Sequence, residues 1–253
     1  MATATPPTQA TAEHTATAPI ARMVLAQVRA VMIYYRRMPQ FLFFSAALPI
    51  FFYIMFGLSA VERLPNGAAV GTLVMVHMGA YSVSSVLVFN IGIGQATRRA
   101  QKQDVLQRAT PLPPWVAIAA DALGGLMVSG VSLLVLFAFA TVAGGVQLSI
   151  GLYLDLLVRL LIGALPILGL GLAIGYSVQA NVAPAIANAI YLPLSFASGL
   201  FISIDSLPSI VQWVAPYLPT YHYAQLVDDA LGVAREGTPV AVMWLLAWGV
   251  VLF

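Results

Sequence analysis

Long apolar runs, separated by short polar segments, limit what this chain can fold into more than any other feature of its sequence. A helix needs about 20 apolar residues to cross about 30 Å of hydrocarbon. Six runs reach or approach that length: 39–58, 67–94, 115–140, 152–176, 183–203 and 239–253. Hydrophobic residues make up 60% of the chain and charged residues 8%, whereas soluble domains carry about 25% charged residues. We therefore predict an all-α integral membrane protein with six transmembrane helices.

The two ends of the chain differ from its interior. Residues 1–19 are rich in Thr, Ala and Pro and lack the basic start and apolar centre of a signal peptide, so they predict a disordered tail. The last run, 239–253, is short, since its length corresponds to about 22 Å of helix. We expect either a natural chain that continues past Phe253 or a last helix that is frayed.

The distribution of Lys and Arg predicts the orientation, because short cytoplasmic loops are rich in these residues. If the N-terminus is cytoplasmic, eight of the eleven basic residues lie on that side: Arg22, Arg29, Arg36, Arg37, Arg98, Arg99, Lys102 and Arg108. The outer side receives Arg63 and Arg235, and Arg159 lies within the fourth run. Both termini are therefore expected on the cytoplasmic side.

Residues 20–37 predict an amphipathic helix. Arg22, Arg29 and Arg36 recur every seven residues and share one stripe, and the opposite face carries Val24, Val28, Val31 and Tyr35. Such a helix rests in the lipid headgroup layer with its arginines toward anionic lipid. The alternative is a cytoplasmic continuation of the first span, although Pro39 favours a break between the two.

Residues 204–238, hereafter the cap segment, are too apolar for an ordinary outer loop. Pro208, Pro216 and Pro219 divide the segment into short pieces, and its Trp and Tyr side chains are typical of the water–lipid interface. We predict short helices that dip into the outer leaflet as a re-entrant cap between the fifth and sixth spans. Backbone of this kind must be buried in protein or line a cavity.

Several classes of chemistry are excluded by residues that the chain lacks. It has no cysteine, which excludes disulfides and Cys-based metal sites, and its only lysine, Lys102, stands between two glutamines. A P-loop requires Gly-Lys-Ser/Thr, so ATP binding through that motif is excluded. We predict no metal site and no catalytic residue, and a serine–histidine pair across helices is the one enzymatic alternative. The net charge of +2 is too small to indicate a nucleic-acid partner.

Polar residues inside apolar runs are costly in hydrocarbon and mark candidate positions of function. Two stripes meet this description: His77, Tyr81 and Ser84 in the second run, and Asn181, Asn188 and Ser195 along the fifth. Two interpretations stay open. The stripes can serve helix packing through interhelical hydrogen bonds, or they can line a substrate path at a subunit interface.

Charged residues inside the apolar runs are costly in hydrocarbon for the same reason. Asp155 and Arg159 are four residues apart near one end of the fourth run, and we expect them to neutralise each other. Asp121 in the third run has no partner nearby in the sequence. It lies about two turns from the inner boundary, where water or a lipid headgroup could reach it.

Residues 175–226 carry the most specific pattern in the chain. They contain Pro-Leu-Ser-Phe-x-Ser-Gly at 193–199, Leu-Pro at 207–208 and Pro-x-Tyr-His at 219–222. Together with RATPLPPW at 108–115, these motifs resemble the permease subunits of type-2 ABC exporters, in the branch that exports drugs or lipids. The resemblance covers residues 20–253. The chain departs from the pattern at Ser203, where relatives often have proline, and at 102–107, where relatives often have a Gly-containing acidic segment.

The resemblance implies particular partners. Such permeases pair as two six-helix halves, here a homodimer or a pair with a homologous permease, and each half binds a separate cytoplasmic ATPase subunit. ATP and Mg²⁺ are used by those ATPases, so the permease itself holds no cofactor. The loop 95–114 would form the coupling segment docked on the ATPase, through Arg98, Arg99, Lys102, Asp104 and Arg108. An ordinary positive-inside anchor is the alternative for these charges.

The resemblance also implies a direction and a class of substrate. A hydrophobic or amphiphilic compound, a drug or a lipid, would be exported across the bacterial plasma membrane, which suggests a link to antibiotic resistance. The outer gate would consist of Leu200, Phe201, Pro208, Pro216 and Pro219. The alternatives are export of a polysaccharide or lipid-linked glycan, an ATP-independent secondary carrier, and a membrane scaffold without transport.

Overall fold

The computed structural model describes residues 19–59, 69–103 and 112–252, and most of these residues are helical. The described α-helices are α1 (Ile20–Arg36), α2 (Pro39–Phe52), α3 (Val70–Ala100), α4 (Pro114–Gly144), α5 (Ile150–Gly163), α6 (Leu165–Ser177), α7 (Ala183–Ala197), α8 (Ser209–Val214), α9 (Pro219–Ala230) and α10 (Thr238–Leu252). A π-helical turn follows α2 at Tyr53–Gly57, and 3₁₀ turns lie at Ile204–Ser206 and Ala215–Tyr217. The predicted tail, except for Pro19, and residues 104–111 of the predicted coupling segment lie outside the described residues.

Among the described residues, three helical segments are long and apolar enough to cross a membrane: Val70–Ala100, Pro114–Gly144 and Ile150–Ser177. They coincide with the second, third and fourth predicted spans. Three further helices are apolar but shorter: Phe43–Gly57, Ala183–Ala197 and Thr238–Leu252. Each of these corresponds to about 22 Å of helix. The prediction of an all-helical membrane protein is confirmed for the described residues, whereas the count of six spans stays a prediction.

The central helix of the bundle is α3, which contacts α2, α4, α6 and α7. In its most apolar stretch 72% of the residues are buried, against 39% in α4. Yet α4, the less buried helix, is the more hydrophobic of the two. An apolar helix with an exposed apolar surface is expected where the surroundings are lipid, because lipid tails are as apolar as the side chains.

The backbones of α3 and α6 approach each other closely through glycines. A Cβ atom on Gly171 would lie 3.0 Å from the carbonyl oxygen of Val88, and one on Gly92 would lie 3.0 Å from that of Gly171. Nearer the end of α6, a Cβ atom on Gly175 would lie 2.8 Å from the carbonyl oxygen of Gly92. Small residues of this kind let membrane helices pack backbone to backbone, so α3 and α6 form one unit.

Prolines interrupt two of the apolar runs without ending them. Pro49 inside α2 cannot donate to the carbonyl of Ser45, and the hydroxyl of Ser82 on α3 donates to that carbonyl instead, over 3.3 Å. Four residues later, α2 passes into its π-helical turn. The fourth run, predicted as one span, is divided into α5 and α6 at Ala164, because Pro166 stands in the first turn of α6.

The first helix, α1, ends at Arg36, and Pro39 is the first residue of α2. Val31 and Tyr35 pack against α4, where Gly124 leaves room for them. Tyr35 is 2% exposed, while the three arginines of the predicted stripe are exposed. The two faces of α1 therefore differ in burial, and its position in the headgroup layer stays a prediction.

The cap segment consists of short helices that begin at or next to prolines. Pro208 precedes α8, Pro216 lies in the 3₁₀ turn, and Pro219 is the first residue of α9. Most of α9 is buried, from Pro219 to Asp228, and the helix contacts α3, α5 and α10. Within the cap segment, α9 is therefore inserted into the bundle at one end, whereas no residue of α8 is buried. The re-entrant position of the segment relative to the membrane stays a prediction.

Candidate functional site

Charged side chains gather at opposite ends of α3. The basic end, where α3 ends and α4 begins, contains Arg98, Arg99 and Lys102, and the cap end comprises the first turns of α3 together with the cap segment. Among the described residues, one pair of acidic and basic side chains lies at the basic end, and the other five lie at the cap end or on the part of α5 that contacts it. With a rise of 1.5 Å per residue, His77 and Arg98 are about 30 Å apart along α3.

At the basic end, Arg98 joins α3 to α4. Its Nη2 donates to Oδ2 of Asp121 over 2.6 Å and to Oε1 of Gln95 over 3.0 Å. Asp121 is 8% exposed, and a buried charge requires a partner. No partner for Asp121 is visible nearby in the sequence, because Arg98 lies 23 residues earlier on another helix.

The adjacent arginine, Arg99, joins α3 to α6. Its Nη1 donates to the carbonyl oxygens of Gly175 and Tyr176 over 2.9 and 2.5 Å. The guanidinium also lies over the Tyr176 ring, 5.9 Å from the centroid. Carbonyls in the last turn of a helix lack partners within the helix and carry partial negative charge. Arg99 therefore caps the C-terminal end of α6.

The other predicted coupling residues lie just beyond the end of α3. Lys102 is exposed and adopts a left-handed backbone conformation with φ of 54°, which is typical of the residue that ends a helix. Asp104 and Arg108 lie outside the described residues. Arg98, Arg99 and Lys102 are thus grouped at one end of the bundle, and both arginines are bonded within the chain.

Tyr81, Ser84 and Ser195, three of the six predicted path residues, converge on Tyr191 of α7. Ser84 Oγ and Tyr191 Oη are 2.5 Å apart, and Tyr191 Oη donates to the carbonyl of Tyr81 over 3.3 Å. The Tyr81 and Tyr191 rings are stacked with centroids 5.6 Å apart. Ser195 donates to the carbonyl of Tyr191 over 2.8 Å. These side chains are buried where α3 meets α7, which is the arrangement that the packing interpretation predicts.

The other three predicted path residues lie elsewhere. Asn181 is exposed in the turn between α6 and α7. Asn188 is exposed on α7, where its Nδ2 donates to the carbonyl of Pro184 over 3.0 Å. His77 lies in the first part of α3 and bonds to the cap segment. The structure therefore divides the predicted path among four places.

The predicted gate residues Leu200 and Phe201 follow α7 and are buried. The Phe201 ring lies 4.5 Å from the Phe196 ring, 4.8 Å from the Tyr81 ring and 5.1 Å from the Phe52 ring, measured between centroids. This aromatic cluster closes the space between α2, α3 and α7. The three gate prolines lie in the cap segment, at the positions described above.

At the cap end, Arg159 of α5 joins three parts of the chain. Its Nε donates to Asp155 over 2.9 Å, and its Nη1 lies within 3.2 Å of Asp229 on α9 and 2.7 Å of Thr238 on α10. The expected Asp155–Arg159 pair is therefore present, with further partners. The Thr238 hydroxyl donates to Asp229 over 2.5 Å, and this bond, with the Arg159 guanidinium, lowers the pKa of the Asp229 carboxyl.

His222 joins α9 to the rest of the cap segment and to α10. Its Nε2 donates to the carbonyl of Pro216 over 2.8 Å, and its Nδ1 lies 2.6 Å from Oε1 of Glu236. The ring stacks on Trp244 of α10 with an interplanar angle of 6°. Because a carbonyl only accepts, Nε2 is the donor in the contact with Pro216.

A cavity of about 510 Å³ opens at the cap end, between the start of α3, the segment after α7, and α9 with the turn that follows it. Its polar wall contains His77 and Asp228, with Nε2 and Oδ1 2.7 Å apart. At its rim, Arg235 donates to Asp205 over 2.5 Å. Sequence reasoning selected His77 and missed Asp228, although adjacent aspartates at 228–229 are conspicuous in a chain with 8% charged residues.

No three His, Asp or Glu side chains within residues 19–59, 69–103 and 112–252 are grouped closely enough to hold a metal ion. The polar groups of both ends are used instead in pairs and hydrogen bonds between helices. The chemistry that these groups support is ionic joining of helices and recognition of a polar or charged group in the cavity.

Comparison with known proteins agrees with the motifs. Residues 23–231, from α1 to the turn after α9, match the family described as ABC-2 type transporter. A Bacillus subtilis (strain 168) protein named "Putative transport permease YvfS" is 28% identical over 199 residues, which cover 79% of this chain and 80% of that protein. The resemblance to type-2 ABC permeases is therefore confirmed, and the chain belongs to the ABC-2 type transporter family as a membrane permease subunit.

Proposed function

We propose that the protein is the membrane-spanning subunit of an ATP-driven exporter, and that separate ATPase subunits move it through its basic end. Membership in the ABC-2 family implies an ABC ATPase partner. One observation above all supports the basic end as the docking place. Two adjacent arginines there join α3 to two different helices, Arg98 to α4 and Arg99 to α6.

The two arginines would carry a displacement of the coupling segment to three helices at once. Bonds between charged groups are stronger than neutral hydrogen bonds and keep their geometry in a partly buried place. Glycine contacts already hold α3 and α6 together. A push on the coupling segment would therefore tilt α3, α4 and α6. Lys102, exposed just after the end of α3, would face the soluble partner.

In this proposal the ATPase subunits bind ATP and Mg²⁺, and the permease supplies the docking contacts, the path and the gate. The working unit would contain two permease copies, identical or homologous, and two ATPase subunits. Each permease would have six spans and two cytoplasmic termini in the inner membrane of a bacterium. The three shorter apolar helices, one each before α3, before the cap segment and after it, support that count.

The substrate would be a hydrophobic or amphiphilic compound, a drug or a lipid, that leaves through the cap end. The Phe201 cluster supports a gate there, because an apolar constriction blocks ions and water when it is closed. Leu200 is buried beside it. Pro208, Pro216 and Pro219 would keep the cap segment divided into short pieces that move as rigid bodies.

Docking is tested by charge reversal in the purified permease–ATPase complex. The triple variant Arg98→Glu, Arg99→Glu, Lys102→Glu and the single variant Lys102→Glu are both expected to lower substrate-stimulated ATPase activity. Only the single variant is expected to leave the amount of permease in the membrane unchanged, because the triple variant also breaks the Arg98–Asp121 pair. Lys102→Arg is the matched control, since it keeps the charge. The single variant separates docking on the ATPase from bonding between helices, because Lys102 is the exposed member of the group. Undiminished stimulation in both glutamate variants would remove the basic end as the docking place.

The path is tested on α7, where Asn188 is exposed and hydrogen bonds only locally. Asn188→Trp is expected to block transport and to leave the melting temperature unchanged if α7 lines a path. Ile190→Trp is the matched control, since Ile190 is also exposed but points about 160° away around the helix. Full transport by the Asn188 variant would assign the stripe to packing.

A further inference from the structure

The cap-end cavity has an apolar body and one polar wall. Its apolar lining includes Leu73 and Val74 of α3, Leu200 and Phe201 of the predicted gate, and Val233. Its volume, about 510 Å³, lies in the range of pockets that bind small organic molecules, about 300 to 1,000 Å³. A cavity with these walls suits a ligand with a compact apolar body.

The polar wall contains more carboxylates than guanidinium groups. Four ionisable side chains line the cavity: His77, Asp205, Asp228 and Arg235. The guanidinium of Arg235 is already bonded to Asp205 at the rim. The carboxylate of Asp228 is therefore the acid that a ligand would meet inside, beside the His77 ring.

Asp228 is held in the wall by contacts from two sides. Its side chain is 10% exposed, and Nε2 of His77 on α3 lies 2.7 Å from its Oδ1. Its own backbone carbonyl accepts from the amides of Leu231 and Val233 in the following turn. A carboxylate fixed in this way inside a partly apolar cavity attracts a cation more strongly than one in water, because the local dielectric constant is lower.

We infer that this cavity binds an organic cation with an apolar body, and that Asp228 is its counter-ion. An inorganic metal ion is a poor fit, because the lining is largely apolar and the described residues offer no group of three ligands. An anion is disfavoured because carboxylates outnumber guanidinium groups in the lining. The role of the cavity as the last binding place before release depends on the proposed function, whereas the binding itself does not.

The experiment measures equilibrium binding to the full chain in nanodiscs of phosphatidylcholine, with empty nanodiscs subtracted. Two probes of nearly the same shape and opposite charge are compared, tetraphenylphosphonium and tetraphenylborate. We expect saturable binding of the cation and at least tenfold weaker binding of the anion. Equal affinity for the two ions, or no saturable binding of the cation, would overturn the inference.

The site is located with matched variants. Asp228→Asn keeps the size and the oxygen that accepts from His77, and it is expected to weaken cation binding about tenfold. Asp155→Asn is the control, since Asp155 is an acid of the same end that does not line the cavity. Unchanged binding in the Asp228 variant places the cation elsewhere and contradicts the inference.

Two further variants keep the test decisive if Asp228→Asn does not fold. Arg235→Gln removes the positive charge at the rim and is expected to strengthen cation binding about threefold. Leu73→Phe fills the apolar body and is expected to weaken binding of both probes. If neither variant changes binding of either probe, the cavity is not the site.

The same preparations distinguish this inference from the proposed function. If the purified permease binds tetraphenylphosphonium through Asp228 but no ATPase associates with it, the exporter proposal fails and the site stands. If an ATPase associates and is stimulated by substrates but the Asp228 variant binds the cation normally, the exporter stands and this site fails.

Discussion

The basic end and the cap end differ in what their charges connect. At the basic end, Arg98 and Arg99 of the coupling segment lie in the last turn of α3 and reach two other helices. At the cap end, Arg159 and His222 hold one short helix, α9, against α5 and α10. The first arrangement links a loop to long helices, and the second fixes a small element over a cavity.

The charged pairs also differ in how deeply they are buried, and the cap end contains both kinds: the Asp228 side chain is 10% exposed and the Asp205 side chain 71% exposed. At the basic end, the Asp121 side chain is 12% exposed in its pair with Arg98. A buried charge that loses its partner is strongly destabilising, whereas an exposed pair contributes little. Similar substitutions are therefore expected to cost more at the Arg98–Asp121 pair than at the Arg235–Asp205 pair.

The largest loss of stability is expected from separating α3 and α6. The comparison of the basic end with the cap end assumes that these helices connect the two ends rigidly. Gly171→Leu places a side chain against the backbone of α3, where a Cβ alone would be 3.0 Å from the Val88 oxygen. We expect a loss of about 3 kcal/mol or more, measured as a lower melting temperature and lower yield of folded protein. Gly130→Leu is the control, because a Cβ there meets nothing within 4 Å. Equal stability of the two variants would show that the helices are not locked together.

The next largest loss of stability is expected at the charged pairs, and one pair from each end is compared. Asp121→Ala leaves Arg98 without its charged partner and is expected to cost about 3 kcal/mol. Asp205→Ala removes an exposed partner and is expected to cost less than about 1 kcal/mol. Thermal unfolding in detergent measures both. The double variant Arg98→Leu, Asp121→Leu should be more stable than Asp121→Ala, and similar losses at both ends would refute the difference in burial as the cause.

A smaller loss of stability is expected from a substitution in the part of the bundle between the two ends, where Tyr191 joins α3 to α7. Tyr191→Phe removes the hydroxyl that bonds Ser84 and the Tyr81 carbonyl and is expected to cost about 1 kcal/mol. If the group serves packing, the melting temperature falls while substrate stimulation of the ATPase is unchanged. Tyr217→Phe, in an exposed part of the cap segment, is the control. A changed substrate response at unchanged stability would instead favour the path.

The smallest effect is a pH dependence confined to the cap end. Because Thr238 and Arg159 lower the pKa of Asp229 in the folded protein, its contribution to stability is complete above the pKa of an unfolded aspartate, about 4. That contribution is lost as the pH falls through the lower folded value. The melting temperature is expected to fall less between about pH 5 and pH 3 in Asp229→Asn than in the unchanged chain. If the melting temperature falls equally with pH in both proteins, Asp229 does not contribute to the pH dependence of stability.

Much of the fold was predictable because it depends on local properties of the chain. Apolar length indicated the long helices, and Pro39, Pro208 and Pro219 indicated where helices begin, since proline lacks an N–H and is favoured in the first turn. The ends of helices were less predictable. The second predicted span ended at residue 94, but α3 continues to Ala100, because the polar residues there are compatible with a helix that leaves the apolar region.

The candidate site was only partly predictable, because its partners are far apart in the chain. His77 was selected for its position in an apolar run, but its partner Asp228 is 151 residues away. Ser84 was selected on the same ground, and Tyr191, which bonds it, is 107 residues away. Spacing along one helix indicates which residues share a face, and it contains no information on which other helix that face meets.

The sequence by itself determined that this protein lies in a membrane, that it is helical, and that its basic residues gather before the third span. Those properties follow from the cost of placing polar groups in hydrocarbon. Each segment of the chain is subject to that cost whichever helices are its neighbours. Only the tertiary structure decided that Arg98 neutralises Asp121, that Arg99 caps α6, and that His77 and Asp228 share a cavity wall. Those pairings depend on which helices are neighbours, and neighbours are chosen by packing of the whole bundle, above all by the glycines that bring α3 and α6 together.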